Sequence, residues 1–252
     1  TMLPQKVRGG ASDNYFFWIL LLLFLPAKFL ILQQAHFAEG WAMTLALFRL
    51  VVLIMLERTQ VQYMRHAFQA EILRDPRLDV PIKWLALALA FAPWLPAAVA
   101  GGAEAVLALL LLVRFTGWKP LRAFSRLDVG IMYLGYLMIV AQLLVDAVGH
   151  FVALPWVGSV SAHLFTVGVL GTIMPAMIVR IAKGHTGREV VFEPADKLVL
   201  WLMIAGLVAR VVMPQFHPAG YAMWLHIAAT TWLLAFAILL WRYAPFLLAP
   251  RS

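Results

Sequence analysis

None of the 252 residues is a cysteine. That excludes disulfides, iron–sulfur clusters, thiolate-bound copper or zinc, and c-type haem attachment. Charge is nearly as scarce. Asp, Glu, Lys and Arg together make 13% of the chain, about half of the ~25% usual in soluble domains. Hydrophobic residues fill the gap at 63%, against about 45–50% on a similar count for soluble proteins, and the mean hydropathy is +0.87. A water-soluble fold of this size still exposes much of its surface and has nowhere to hide so much apolar area. The composition is that of an integral membrane protein, which expects membrane lipid as its surroundings.

Apolar runs of membrane-crossing length recur eight times, over 15–34, 41–56, 82–99, 103–115, 129–148, 160–182, 198–213 and 221–241. A spanning helix needs about 20 such residues. The breaks fall at turn formers: Pro76 and Pro81, Pro96 with Gly101, Pro120, Pro155, Gly184 with Gly187, and Pro214 with Pro218. The expected fold is therefore all-α, a polytopic bundle of about eight spans forming a single transmembrane domain over 1–252. Of the 20 lysines and arginines, 17 fall at the termini or in the loops after spans two, four and six. The alternate loops have none. By the positive-inside rule both termini are expected in the cytoplasm, with 1–14 a cytoplasmic segment. Tryptophans mark both boundaries, for example Trp84 and Trp201 inside and Trp41 and Trp156 outside. The net charge of +8 is thus loop charge, and nucleic acid is not an expected partner.

Without thiols, a metal must be held by His, Met, carboxylate or backbone oxygen. Five of the seven histidines (His36, His150, His163, His217, His226) sort to the outer end, and His66 and His185 to the inner one. At about 1.5 Å rise per residue, His163 and His226 come to similar depth, as two axial ligands of one iron must. His36 and His150 are their rivals as metal ligands, and a copper site could draw on the same imidazoles with Asp146 orienting His150. The plain alternative is that these are interface histidines with a hydrogen bond apiece. Arg49 sits midway along span two, where an arginine costs about 2.5–3.5 kcal/mol even on insertion scales. It calls for a buried anion, either Asp146 or a haem propionate. Lys28 and Arg210 lie nearer a boundary and can snorkel. The methionines read as packing.

The segment His163-Leu-Phe-Thr-Val-Gly-Val-Leu-Gly-Thr172, followed by Arg180 and Gly184-His-Thr-Gly-Arg188, resembles the hallmark of the NnrS family, which is close to H-x-L-T-V-G-x-x-G-T, an Arg, then G-H-T-G-R. Arg58 to Ala67 is similar to a second family stretch and keeps both of its arginines, Arg58 and Arg65. Tyr243-Ala-Pro245 with Pro250-Arg251 is similar to the family's ending. Val61 stands where the pattern has proline, and Tyr133 where it has histidine. Family members are typically longer, and this chain resembles their last eight spans. Either the form is short, or a partner supplies the remaining N-terminal helices.

The resemblance implies a multi-pass bacterial inner-membrane protein binding haem b, copper or both, in nitric oxide metabolism or the response to nitrosative stress, with a respiratory membrane complex as its candidate partner. It lifts His163, which opens the motif, as a ligand. Gly168 and Gly171, three apart, give span six a smooth face for a neighbouring helix or a flat macrocycle. His185 with Arg180 and Arg188 suits an anion or lipid headgroup, or else forms a helix cap with basic flanks. A non-enzymatic assembly or copper-delivery factor is the alternative function. A solute transporter is disfavoured, because the sequence has no inverted repeat or pair of broken helices.

Overall fold

The computed structural model describes residues 4–72 and 74–248, with side chains described from Phe16 onward. The side chains of the segment 1–14 and the Pro250-Arg251 ending lie outside the described residues. Eight helical rods, and no strand, make up the described chain. α1 is Pro4–Leu32, α2 Phe37–Phe68, α3 Pro76–Ala88 with Leu89–Trp94 continuing it as 3-10 turns, α4 Ala97–Gly117 and α5 Leu127–Gly149. α6 is Val160–His185, α7 Pro194–Phe216 and α8 Tyr221–Leu248. Six of the eight are long and apolar enough to cross a membrane; the apolar part of α1, Phe16–Leu32, and the 13-residue α3 are shorter.

The rods differ from the sequence expectation at their ends, for local reasons. α2 runs on to Phe68 and stops where Gln69 takes a left-handed φ of 51°, its N–H bonding back to Arg65 O and the Ala70 N–H to Met64 O, the usual helix-ending turn. α3 starts early because Asp75 accepts the Arg77 N–H and Pro76 fills the first helical position. Gly101 does not break the chain. It lies inside α4, buried against the end of α5, where a Cβ would stand 3.1 Å from Ala147 O and 2.8 Å from the Phe151 ring, so Gly101 permits close helix approach while Gly102 faces open space.

Successive rods run in opposite directions, and polar contacts tie their ends together. At one end, called basic here, Glu57 of α2 meets Lys83 of α3 at 3.0 Å and Arg114 of α4 at 3.6 Å, with Arg74 also paired to it. Arg114 reaches Asp79 at 3.2 Å and the Tyr136 hydroxyl of α5 at 3.2 Å. Arg180 of α6 bonds Asp128 of α5, and Lys183 of α6 bonds Asp196 of α7, which also takes Arg242 and Tyr243 of α8. Lys83, Arg114 and Lys183 were expected as loop cations; they are buried inside helices, because α3, α4 and α6 extend into the supposed loops. Buried charge is tolerated when it is paired in this way. Between the two ends the apolar core runs through all eight rods, with α5 packed against α2, α4, α6 and α7.

Tyr133 is fully buried at the basic end. Its hydroxyl donates to Trp118 O at 2.6 Å, and its ring packs edge-on to Phe115, Trp118 and Phe124. The residue that replaces the family's histidine is therefore a packing residue here.

Candidate functional site

The ends of α2, α4 and α5 opposite the basic end, with the 3-10 turns after α3 and the loop into α6, line an open cavity of about 770 Å³. Arg49 projects into its wall with a side chain only 4% exposed, its Nη1 3.8 Å from Asp146 Oδ2. Ser161, from the start of α6, hydrogen-bonds the same carboxylate. Asp146, half-buried, is thus an anion paired with the buried Arg49. A second pair stands beside it: His150 Nε2 lies 3.3 Å from Glu104 Oε2. Arg49 Nε and Gln142 Oε1 are buried with no hydrogen-bond partner among the described residues.

Two details differ from the sequence expectation. The carboxylate touching His150 is Glu104 of α4, while Asp146 is engaged by Arg49 and Ser161, although Asp146 and His150 do share a helix face. Glu104 was missed altogether. Its signal was available: it is the one acidic residue in an otherwise apolar span, and an acid there is costly unless it serves a purpose.

A second, smaller cleft of about 280 Å³ lies between α6, α7 and α8, lined by His163, Thr166, Val167, Arg210, Leu225, Ala228, Ala229 and Trp232. Both α6 and α7 widen into π-helix where they border it, over Leu164–Leu170 and Val208–Val212. Prolines account for this. Pro214 has no N–H for Arg210 O, and its ring crowds that carbonyl; Pro175 does the same to Gly171 O at the end of the first π segment. Such π segments are frequent at functional sites. His163 Nδ1 lies 2.7 Å from Ser159 O. A carbonyl only accepts, so Nδ1 carries the proton and Nε2 keeps its lone pair. Arg210 Nη1 donates to the Tyr221 hydroxyl at 3.2 Å.

The remaining candidates scatter. His226 is exposed on α8 and lines neither cavity. His36 is exposed before α2, 4.0 Å from Glu39. His185 and Arg188 are exposed at the basic end, Arg188 stacking 4.1 Å over the Phe246 ring. There the Gly184–Arg188 turn is a helix cap. Gly187 adopts a φ of 72°, and the Arg188 N–H returns to Lys183 O at 2.9 Å. The glycine face of α6 is occupied by protein: a Cβ on Gly168 would meet Met138 at 2.9 Å, and one on Gly171 would meet Trp232 at 3.0 Å. Among the described residues no three His, Asp or Glu side chains converge as a metal site.

No curated protein and no solved structure matches the chain. The family model described as NnrS protein matches residues 1–251. The hallmark residues of α6 lie where that match and the geometry meet, around the two π segments and the turn that ends α6, and the chain belongs to the NnrS family.

Proposed function

We propose that this is a bacterial inner-membrane protein of nitric oxide metabolism or nitrosative-stress defence, holding haem b in the larger cavity, with both termini cytoplasmic and that cavity on the periplasmic side. The observation that carries the reading is the cavity wall, in which a buried arginine with an unused N–H stands beside a histidine 3.3 Å from a buried carboxylate whose oxygen has no hydrogen-bond partner among the described residues. Cofactor sites occupy about 300–1,000 Å³, a range that includes this cavity at about 770 Å³ and leaves the cleft beside His163 just below it. The donor set also favours haem over copper. A haem iron needs one or two protein ligands, whereas an all-imidazole copper site needs several histidines together, and the described histidines are dispersed.

Each residue then has a definable role. Glu104 Oε2 stands 3.3 Å from His150 Nε2 but makes no hydrogen bond with it among the described residues; closing that gap would hold the imidazole in one tautomer, as a carboxylate does for a ligating histidine, and Nδ1 would then be the nitrogen free to hold the iron. Arg49, neutralised only in part by Asp146, directs its free Nε–H toward an acceptor such as a propionate oxygen. A bound haem supplies an iron centre for nitric oxide and for one-electron chemistry.

The test compares two variants by visible spectrum. His150→Ala should lose most of the reducible Soret band, and His163→Ala should keep it. The reverse outcome would move the ligand to the family motif and overturn this placement.

A further inference from the structure

The cleft at the two π segments has a chemistry of its own. It presents an acceptor, the His163 Nε2 lone pair, left free because Nδ1 is bound to Ser159 O. It presents a donor, the Arg210 guanidinium, which bonds the Tyr221 hydroxyl and has no carboxylate in ion-pair reach among the described residues. Thr166 also lines it, its hydroxyl donating to Ala162 O at 2.9 Å, and the rest of the wall is apolar or aromatic: Val167, Leu225, Ala228, Ala229 and the Trp232 ring. Trp232 is firmly seated, because Gly171 and Gly206 leave room for its indole. Leu225 and Ala229 are exposed on the outer surface of the bundle, so the cleft opens sideways toward lipid rather than toward water.

We propose that this cleft binds the ring of a membrane-borne quinol, with one ring hydroxyl donating to His163 Nε2, the second ring oxygen accepting from Arg210, and the tail left in the bilayer. The volume, about 280 Å³, suits one substituted ring and no more. The ligand has to be lipid-soluble to enter by this side, and it has to offer both a hydroxyl donor and an acceptor oxygen. A phospholipid phosphodiester satisfies Arg210 but has no proton to give to His163. A fatty acid, ionised at neutral pH, has the same shortcoming. Nothing here depends on haem: the binding is read from the quinol itself, so a colourless chain that binds quinol would sink the haem reading and leave this one standing.

The experiment titrates the purified full-length chain in neutral detergent with decylubiquinol, following tryptophan fluorescence, and repeats the titration with decylubiquinone. Saturable quenching is expected, tighter for the quinol than the quinone. Arg210→Ala and His163→Ala should each weaken it by about tenfold, the effect of losing one hydrogen bond to a charged or obligate partner. Ala229→Phe, on the exposed rim, should block it without touching the core, and so covers the case in which Arg210→Ala does not fold. Absence of saturation, or binding unchanged in all three variants, overturns the proposal. So does displacement of the quinol by phosphatidylglycerol vesicles with no dependence on His163, which would make the cleft a phosphate site.

Discussion

Arg49, Glu57 and Glu104 are buried charges in largely apolar helices, and each has an oppositely charged or histidine neighbour on another rod. Removing one member of a buried pair leaves the other charged and desolvated, at about 3–5 kcal/mol. Glu57 is the extreme case, 1% exposed and meeting cations from α3, α4 and the intervening loop. Glu57→Ala should therefore cost about 3–5 kcal/mol, seen as a fall in melting temperature in detergent. Arg49→Leu should cost less, because Asp146 keeps Ser161 and is partly exposed. It should also lower haem occupancy. An Arg49→Leu protein with full occupancy and unchanged melting temperature would show that the pair with Asp146 is idle.

The helix ends carry the next level of organisation. At the basic end of α6, α7 and α8, Glu193 caps α7 and accepts from Arg242 at 2.7 Å and from Lys183 at 3.1 Å. Those hydrogen bonds hold its carboxyl below the ordinary value of 4.5. A carboxyl depressed on folding contributes stability that is full above its unfolded value and is lost as pH falls through its folded one. The melting-temperature gap between wild type and Glu193→Gln should be open near neutrality and close on acidification below about pH 4.5. A gap that widened in acid would contradict the assignment. The positions of these rods were legible from apolar runs and from turn residues such as Pro96 and Gly187. Their ends were less so, since Gln69 and Asp75 act through backbone geometry that hydropathy does not register. The π segments left no periodic signal, because they follow from Pro175 and Pro214 acting four residues back. Arg49 was legible as a buried cation from depth alone. Glu104 was passed over because attention fell on cations, and His226 was overweighted because similar depth says nothing about which way a helix face points.

For the whole molecule, the ion pairs place the ends of α2, α4, α6 and α8 at one face of the bundle and the larger cavity at the other. If the basic face is cytoplasmic, a reporter fused after Ser252 should be active only in the cytoplasm; one active only in the periplasm would invert the orientation and with it the side on which the cavity opens. Lipid contact is expected all round, and of the six rods of membrane-crossing length α8 is the least covered by its neighbours. The central claim is that the cavity walled by Arg49, Glu104, Asp146 and His150 holds a haem. The most direct measurement is the visible spectrum of the purified chain, oxidised and then reduced with dithionite, together with its iron and copper content. A Soret band that shifts on reduction, with close to one iron per chain, is expected. A colourless protein carrying copper and no iron would contradict the claim and point instead to a copper-handling role.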